Sequence, residues 1–162
     1  MQVFVTDRKA IESGFLVRST YALISICDPG STRARIRKSS ALRATLHLAF
    51  HDAEPTANLK LPTQIVLMTE KHAAKIWRFV TRHKDHVGAF VVQCHQGMSR
   101  SPAVAAALAV YLGVDERPFW RDYSPNQHVY RLLRAAMPAS ETTLRRPPPL
   151  PSPGVPGEGE ES

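Results

Sequence analysis

One run of the chain limits its possible folds more than any other. Ala89-Phe90-Val91-Val92 is uninterrupted apolar sequence, and residues 103–112 are rich in alanine. Between them stand Cys94-His95-Gln96-Gly97-Met98-Ser99-Arg100, a cysteine and an arginine with five residues between them, and then Ser101-Pro102. The apolar stretch reads as a buried strand and the alanine-rich one as a helix. A reactive thiol and a permanent cation therefore sit where a strand ends and a helix begins. Backbone N–H groups left free at a helix start point at a ligand, and the helix dipole favours negative charge there. Such a field favours thiolate over thiol, and a guanidinium fork matches phosphate oxygens two at a time.

The rest of the chain alternates strand and helix. Gln2 to Thr6 reads as a strand and Arg8 to Ser13 as a short helix ended by Gly14. Tyr21 to Ile26 is an apolar strand closed by the turn Asp28-Pro29-Gly30. Ser31 to Ala44 is polar and basic, and Thr45 to Phe50 alternates, with Leu46, Leu48 and Phe50 on one face. A loop over His51 to Thr63 leads to a helix capped by Thr69 and running to about His83, its inner face Ala73, Ile76, Trp77 and Val80. Gly113 closes the alanine-rich helix. Ser124, with Pro125 in the first turn and Gln127 three residues on, reads as the start of a last helix whose stripe is Val129, Leu132, Leu133 and Ala136.

Strands separated by crossover helices imply a single α/β domain, over residues 1–144, with a mainly parallel central sheet flanked by helices on both faces. Ligands in such sheets bind at the carboxyl ends of strands. Cys94, Cys27-Asp28 and Asp52 all fall at such ends. From Arg145 to residue 162 the chain is proline-rich and then acidic, with Glu158, Glu160 and Glu161. That composition cannot bury apolar surface and reads as a disordered, solubilising tail, with a proline-rich ligand for a partner domain as the other use.

Bulk composition narrows the class further. No apolar run reaches the length of a membrane span, and the N-terminus lacks a signal-peptide pattern. Two distant cysteines, Cys27 and Cys94, make no disulfide framework, so a reducing cytoplasm is the expected home. The formal charge of +7 attracts phosphorylated substrates. No nucleic-acid motif or aromatic stacking pattern accompanies it, so the charge reads as a well-solvated basic surface without a nucleic-acid role.

Cysteine, five residues, arginine and serine between a strand and a helix, with Gly97 in the middle and Ser101 after the arginine, resembles the signature of the cysteine-based protein tyrosine and dual-specificity phosphatases. The resemblance extends over roughly residues 1 to 137 and is sharp at this signature and around Asp52. It implies hydrolysis of phosphate monoesters, on protein phosphotyrosine or phosphoserine and phosphothreonine, through a cysteinyl-phosphate intermediate, with no metal and no organic cofactor. Cys94 is then the nucleophile, Arg100 the phosphate clamp, the backbone of His95, Gln96, Gly97, Met98 and Ser99 the phosphate cradle, and Ser101 an aid to the departing thiolate.

The general acid implied is Asp52, in the loop after the strand that precedes the long helix; Glu54 and Asp28 are rivals, and Asp85 lies at the wrong end of its strand. Ser101 also suits a helix cap, and Asp52 a turn. The resemblance breaks at Gln93, where the family usually has histidine. Cys27 reads as a small core residue or as a redox partner that captures an oxidised Cys94 in a disulfide. Two other functions stay open: a pseudophosphatase that holds phosphorylated partners without cleaving them, and a rhodanese-like sulfurtransferase, which would leave Asp52 without a role.

Overall fold

Among the described residues, four strands and five helices mostly follow the apolar pattern, and β-pairing or loop contacts between distant segments move some of their ends. The structure, a computed structural model, describes residues 1–56 and 61–140; the proline-rich tail expected from Arg145 onward lies outside the described residues. In chain order the elements are β1 (Gln2–Asp7), α1 (Arg8–Ser13), β2 (Tyr21–Cys27), β3 (Leu42–Ala49), α2 (Glu70–His83), β4 (Ala89–Cys94), α3 (Arg100–Leu112), α4 (Arg117–Asp122) and α5 (Gln127–Ala135). All strands run parallel in the order β1-β4-β2-β3.

The register explains why the site lies where it does. Asp7 pairs with Cys94, Ser25 with Gln93, and Cys27 with Ala49. Parallel pairing thus lines up four carboxyl ends along one edge of the sheet, where α/β sheets bind ligands. The central strands β2 and β4 are buried along almost their whole length, which requires both faces to be covered.

The two faces are covered differently. On one, α2, α3 and α5 bury Ile24, Ile26, Phe90, Val92 and Cys94 beneath Ile76, Trp77, Val104, Leu108 and Leu133. Trp77 Nε1–H donates to the Leu133 carbonyl at 3.0 Å, fixing α2 to α5. The other face has one helix, the six-residue α1, and is otherwise closed by irregular chain that packs Phe15, Val17, Ala34 and Ile36 against Leu23, Ala89 and Val91. Helices on both faces were expected; one side has a single short helix because Phe15 to Ile36 reaches the sheet as loop and strand.

The larger departures from the sequence expectation are at β3, α4 and α5. β3 starts at Leu42 rather than Thr45, because its ladder with β2 begins at Tyr21 and Leu42 and draws the end of the basic segment into the sheet. α4 has no apolar period long enough to be read. α5 starts at Gln127 with Asn126 as its cap, not at Ser124. The Ser124 N–H donates to the Met98 carbonyl at 3.0 Å and the Asn126 N–H to the Ser99 carbonyl at 3.1 Å, which binds these residues to the loop between β4 and α3 in extended form. The expected stripe of α5 holds at Val129 and Leu133, with Leu132 partly buried, while Ala136 is exposed.

α2 carries its expected buried face, Ala73, Ile76, Trp77 and Val80. Its first turn is closed by His72, whose Nδ1 accepts the Thr69 N–H at 3.0 Å. No helix among the described residues is long and apolar enough to cross a membrane.

Candidate active site

The loop from Cys94 to Arg100 is shaped from behind. Gln93 is almost wholly buried; its Oε1 accepts the Ser25 hydroxyl at 2.6 Å and its Nε2 donates to the Cys94 carbonyl at 2.9 Å. Gly97 has a left-handed φ of +67°, and a β-carbon there would lie 3.0 Å from the Thr6 carbonyl carbon and oxygen. Glycine is therefore required twice, by conformation and by close approach. The carbonyls of His95, Met98 and Ser99 are occupied from outside the loop, by the N–H groups of Arg8, Ser124, and Ala103 with Asn126, respectively. With these three carbonyls engaged outward, the Gly97 N–H turns to the centre of the loop and donates to Cys94 Sγ at 3.2 Å.

Cys94 is 3% exposed and its Sγ lies 3.0 Å from Ser101 Oγ. α3 begins at Arg100, one residue ahead of the expected serine cap, so Ser101 sits inside the first turn and faces the sulfur. The residue at the cap position, Ser99, makes no side-chain cap bond. Its hydroxyl donates instead to Asp52 Oδ1 at 2.8 Å.

Arg100 is 5% exposed. One terminal nitrogen donates to both Asp28 Oδ1, at 2.6 Å, and the Phe50 carbonyl, at 2.7 Å. Its Nε is buried and has no partner among the described residues. A buried guanidinium donor without a partner costs free energy unless a ligand supplies the acceptor. The anchored nitrogen fixes the plane of the group, and the Nε edge is the one left for an anion. A cavity of about 320 Å³ opens over these atoms and is lined by Cys94, Arg100, Asp28, Asp52 and the loop.

The candidate acids separate clearly in space. Asp52 lines the cavity; besides Ser99, Asn126 Nδ2 donates to its Oδ1 at 2.9 Å. Glu54 turns away, its carboxylate accepting the Gln127 N–H at the start of α5. Asp28 is engaged with Arg100, and Asp85 lies in the turn ahead of β4, at the opposite end of the strand from Cys94. Of the four, only Asp52 is both in the cavity and clear of the guanidinium.

Cys27 and Cys94 are free thiols that the structure does not bring together. Alternation along the paired strands puts Cys94 on the face of Val92 and Ile26, and Cys27 on the face of Ser25 and Gln93. Cys27 Sγ lies 3.7 Å from the Leu48 carbonyl and borders a void of about 140 Å³ behind the loop. A disulfide between side chains on opposite faces would require the strands to move.

Asn126 is the site residue that sequence reading missed. Its Oδ1 caps α5 by accepting the Val129 N–H at 3.0 Å, while its Nδ2 holds Asp52 and the Ala53 carbonyl. The available signal was the high cap preference of asparagine, two residues after the serine read as the cap. Ser25 and the Phe50 carbonyl carried no local signal.

No family model matches this sequence, and no curated protein is detectably similar to it. Solved structures are similar in fold. The human tyrosine phosphatase-like serine/threonine/tyrosine-interacting protein superposes with a TM-score of 0.56 at 16% identity, over 82% of this chain and 89% of that one. A mouse putative dual specificity phosphatase complexed with zinc tungstate gives 0.54 at 20% identity, over 86% and 82%. Human DUSP28 gives 0.52 at 16% identity, over 88% and 93%. The chain therefore shares the fold of these phosphatase and phosphatase-like structures.

Proposed function

We propose that this protein hydrolyses phosphate monoesters, on phosphorylated protein side chains, through a cysteinyl-phosphate. The observation that carries the reading is the joint arrangement at the loop: a thiol receiving a backbone N–H at 3.2 Å, beside a buried arginine with an unpartnered Nε. Cys94 Sγ attacks phosphorus, and the bond from phosphorus to the substrate oxygen breaks. Arg100 and the loop amides hold the equatorial oxygens as they gain charge. Asp52 gives its proton to the departing oxygen, then takes one from the water that attacks the cysteinyl-phosphate. The Ser101 hydroxyl, 3.0 Å from Sγ, stabilises the thiolate as it leaves.

Hydrolysis of p-nitrophenyl phosphate against pH tests this. Wild type should turn over; Cys94→Ser should lose turnover and still bind vanadate; Asp52→Asn should lose the basic limb of the profile. Wild-type rates in Cys94→Ser would reject the mechanism.

A binding module is the second reading. Gln93, neutral where the resemblance expects histidine, favours it, and one fold neighbour is itself named a phosphatase-like interacting protein. Wild type that binds vanadate and turns over no phosphoester would select it.

A further inference from the structure

Next to the phosphate loop lies a larger open groove of about 600 Å³, bordered by the loop residues His95 and Gln96 and by side chains of β1, α1 and the basic segment. The two cavities share His95 and Gln96, so the groove adjoins the loop cavity. The groove is rigidly placed, because the Arg8 N–H donates to the His95 carbonyl at 3.1 Å and ties the start of α1 to the loop.

Its charges are unevenly committed. Asp7 caps α1, with Oδ1 accepting the Ala10 N–H at 2.7 Å. Glu12 Oε1 accepts from Arg8 Nε at 3.1 Å and from the Arg35 N–H at 3.0 Å. Arg8 also donates to Thr32 and to the Arg33 carbonyl. Lys9 and Arg37 have no acidic partner among the described residues. Arg37 is also held in place: its side chain lies over Gly14, where a β-carbon would meet its Cδ at 3.5 Å. Asp7 and Glu12 are thus each engaged within the fold, and two cations without an acidic partner line a groove that adjoins the Cys94 cavity.

We propose that this groove binds the residues flanking the phosphorylated side chain of an acidic phosphopeptide, with Lys9 and Arg37 meeting their carboxylates. An open groove beside the loop can admit the chain that flanks a bound side chain, and the uncommitted cations select negative neighbours. The assignment rests on the phosphatase reading only for the position of the phosphate in the loop.

The test compares two phosphotyrosine peptides of equal length, one with glutamates flanking the phosphotyrosine and one with glutamines in their place. Binding to the Cys94→Ser chain is read by fluorescence polarisation, and wild-type turnover of p-nitrophenyl phosphate is measured separately. The acidic peptide should bind about fivefold tighter at low salt, the size two exposed ion pairs give, and the advantage should shrink at high salt. Lys9→Ala with Arg37→Ala should abolish the advantage and leave p-nitrophenyl phosphate hydrolysis unchanged; Lys9→Glu with Arg37→Glu should reverse it. Equal binding of the two peptides, or a preference that survives the double substitution, overturns the proposal. So does an inositol polyphosphate that binds more tightly than the acidic peptide through the same two side chains. Loss of p-nitrophenyl phosphate turnover in wild type would count against the phosphatase reading alone, since the peptide comparison is a binding measurement.

Discussion

The back of the Cys94–Arg100 loop and its front are built by different means. The back is buried and uncharged: Gln93 on Ser25, and Gly97 against Thr6. The front is an exposed aspartate held by a hydroxyl and an amide brought from α3 and α5. Behind that aspartate, His51 Nδ1 accepts the Val66 N–H at 2.9 Å, and Phe50 packs on the His72 ring with centroids 5.3 Å apart. Cys94 is thus set by steric fit and neutral bonds, Arg100 by its ion pair with Asp28 and the Phe50 carbonyl, and Asp52 by polar contacts that a single exchange can remove. Damage to the back should cost fold and activity together, whereas damage to the front should separate them.

Gly97→Ala gives the largest expected effect. It forces an alanine to φ near +67° and pushes Cβ to 3.0 Å from the Thr6 backbone. Stability should fall by about 1–3 kcal/mol and p-nitrophenyl phosphate turnover by about a hundredfold, read by urea denaturation and initial rates. Near-normal turnover in a stable Gly97→Ala protein would show that the back of the loop is not sterically set.

Asn126 divides the two regions more finely. Asn126→Asp keeps an oxygen for the Val129 N–H and replaces the donor to Asp52 with a second carboxylate. Turnover should drop about tenfold or more with the unfolding midpoint nearly unchanged. Asn126→Ala should lose turnover and also about 1 kcal/mol of cap stability. Equal loss of stability in both variants would mean that asparagine serves the helix alone.

How much of this was legible in the sequence follows from contact distance along the chain. Cys94, Gly97, Arg100 and Ser101 were readable because strand, loop and helix are contiguous and each residue type has a local reason. The α2 face was readable from its period. The bonds Ser25–Gln93 and Asp28–Arg100 join residues 68 and 72 positions apart, and only the parallel register brings them together. The choice between Asp52 and Glu54 depended on α5: its first free N–H takes Glu54, and its cap takes Asp52. Misplacing the start of α5 at Ser124 hid both contacts.

The smallest expected effect is a pH dependence of stability on the acid side. Burial, helped by Lys75, lowers the His72 pKa below its ordinary value, and burial with Arg33 does the same for His47. The unfolded chain then binds more protons than the folded one, so this contribution is complete above about pH 6.5 and is lost as pH falls below it. The urea midpoint should be lower at pH 5 than at pH 8. His72→Gln, which preserves an acceptor for the Thr69 N–H as glutamine does in capping boxes, should narrow that gap. A gap that stays the same would remove His72 from the account.

Gln93 has a consequence for the range of conditions in which the loop keeps its form. A histidine in this position would change charge near neutrality, and its bonds to the loop would change with it. The amide of Gln93 has no proton to gain or lose, so its bonds to Ser25 and to the Cys94 carbonyl are the same in acid and in alkali. The support of the loop from behind is insulated from ambient acidity, and any pH response is left to the titratable groups at its front.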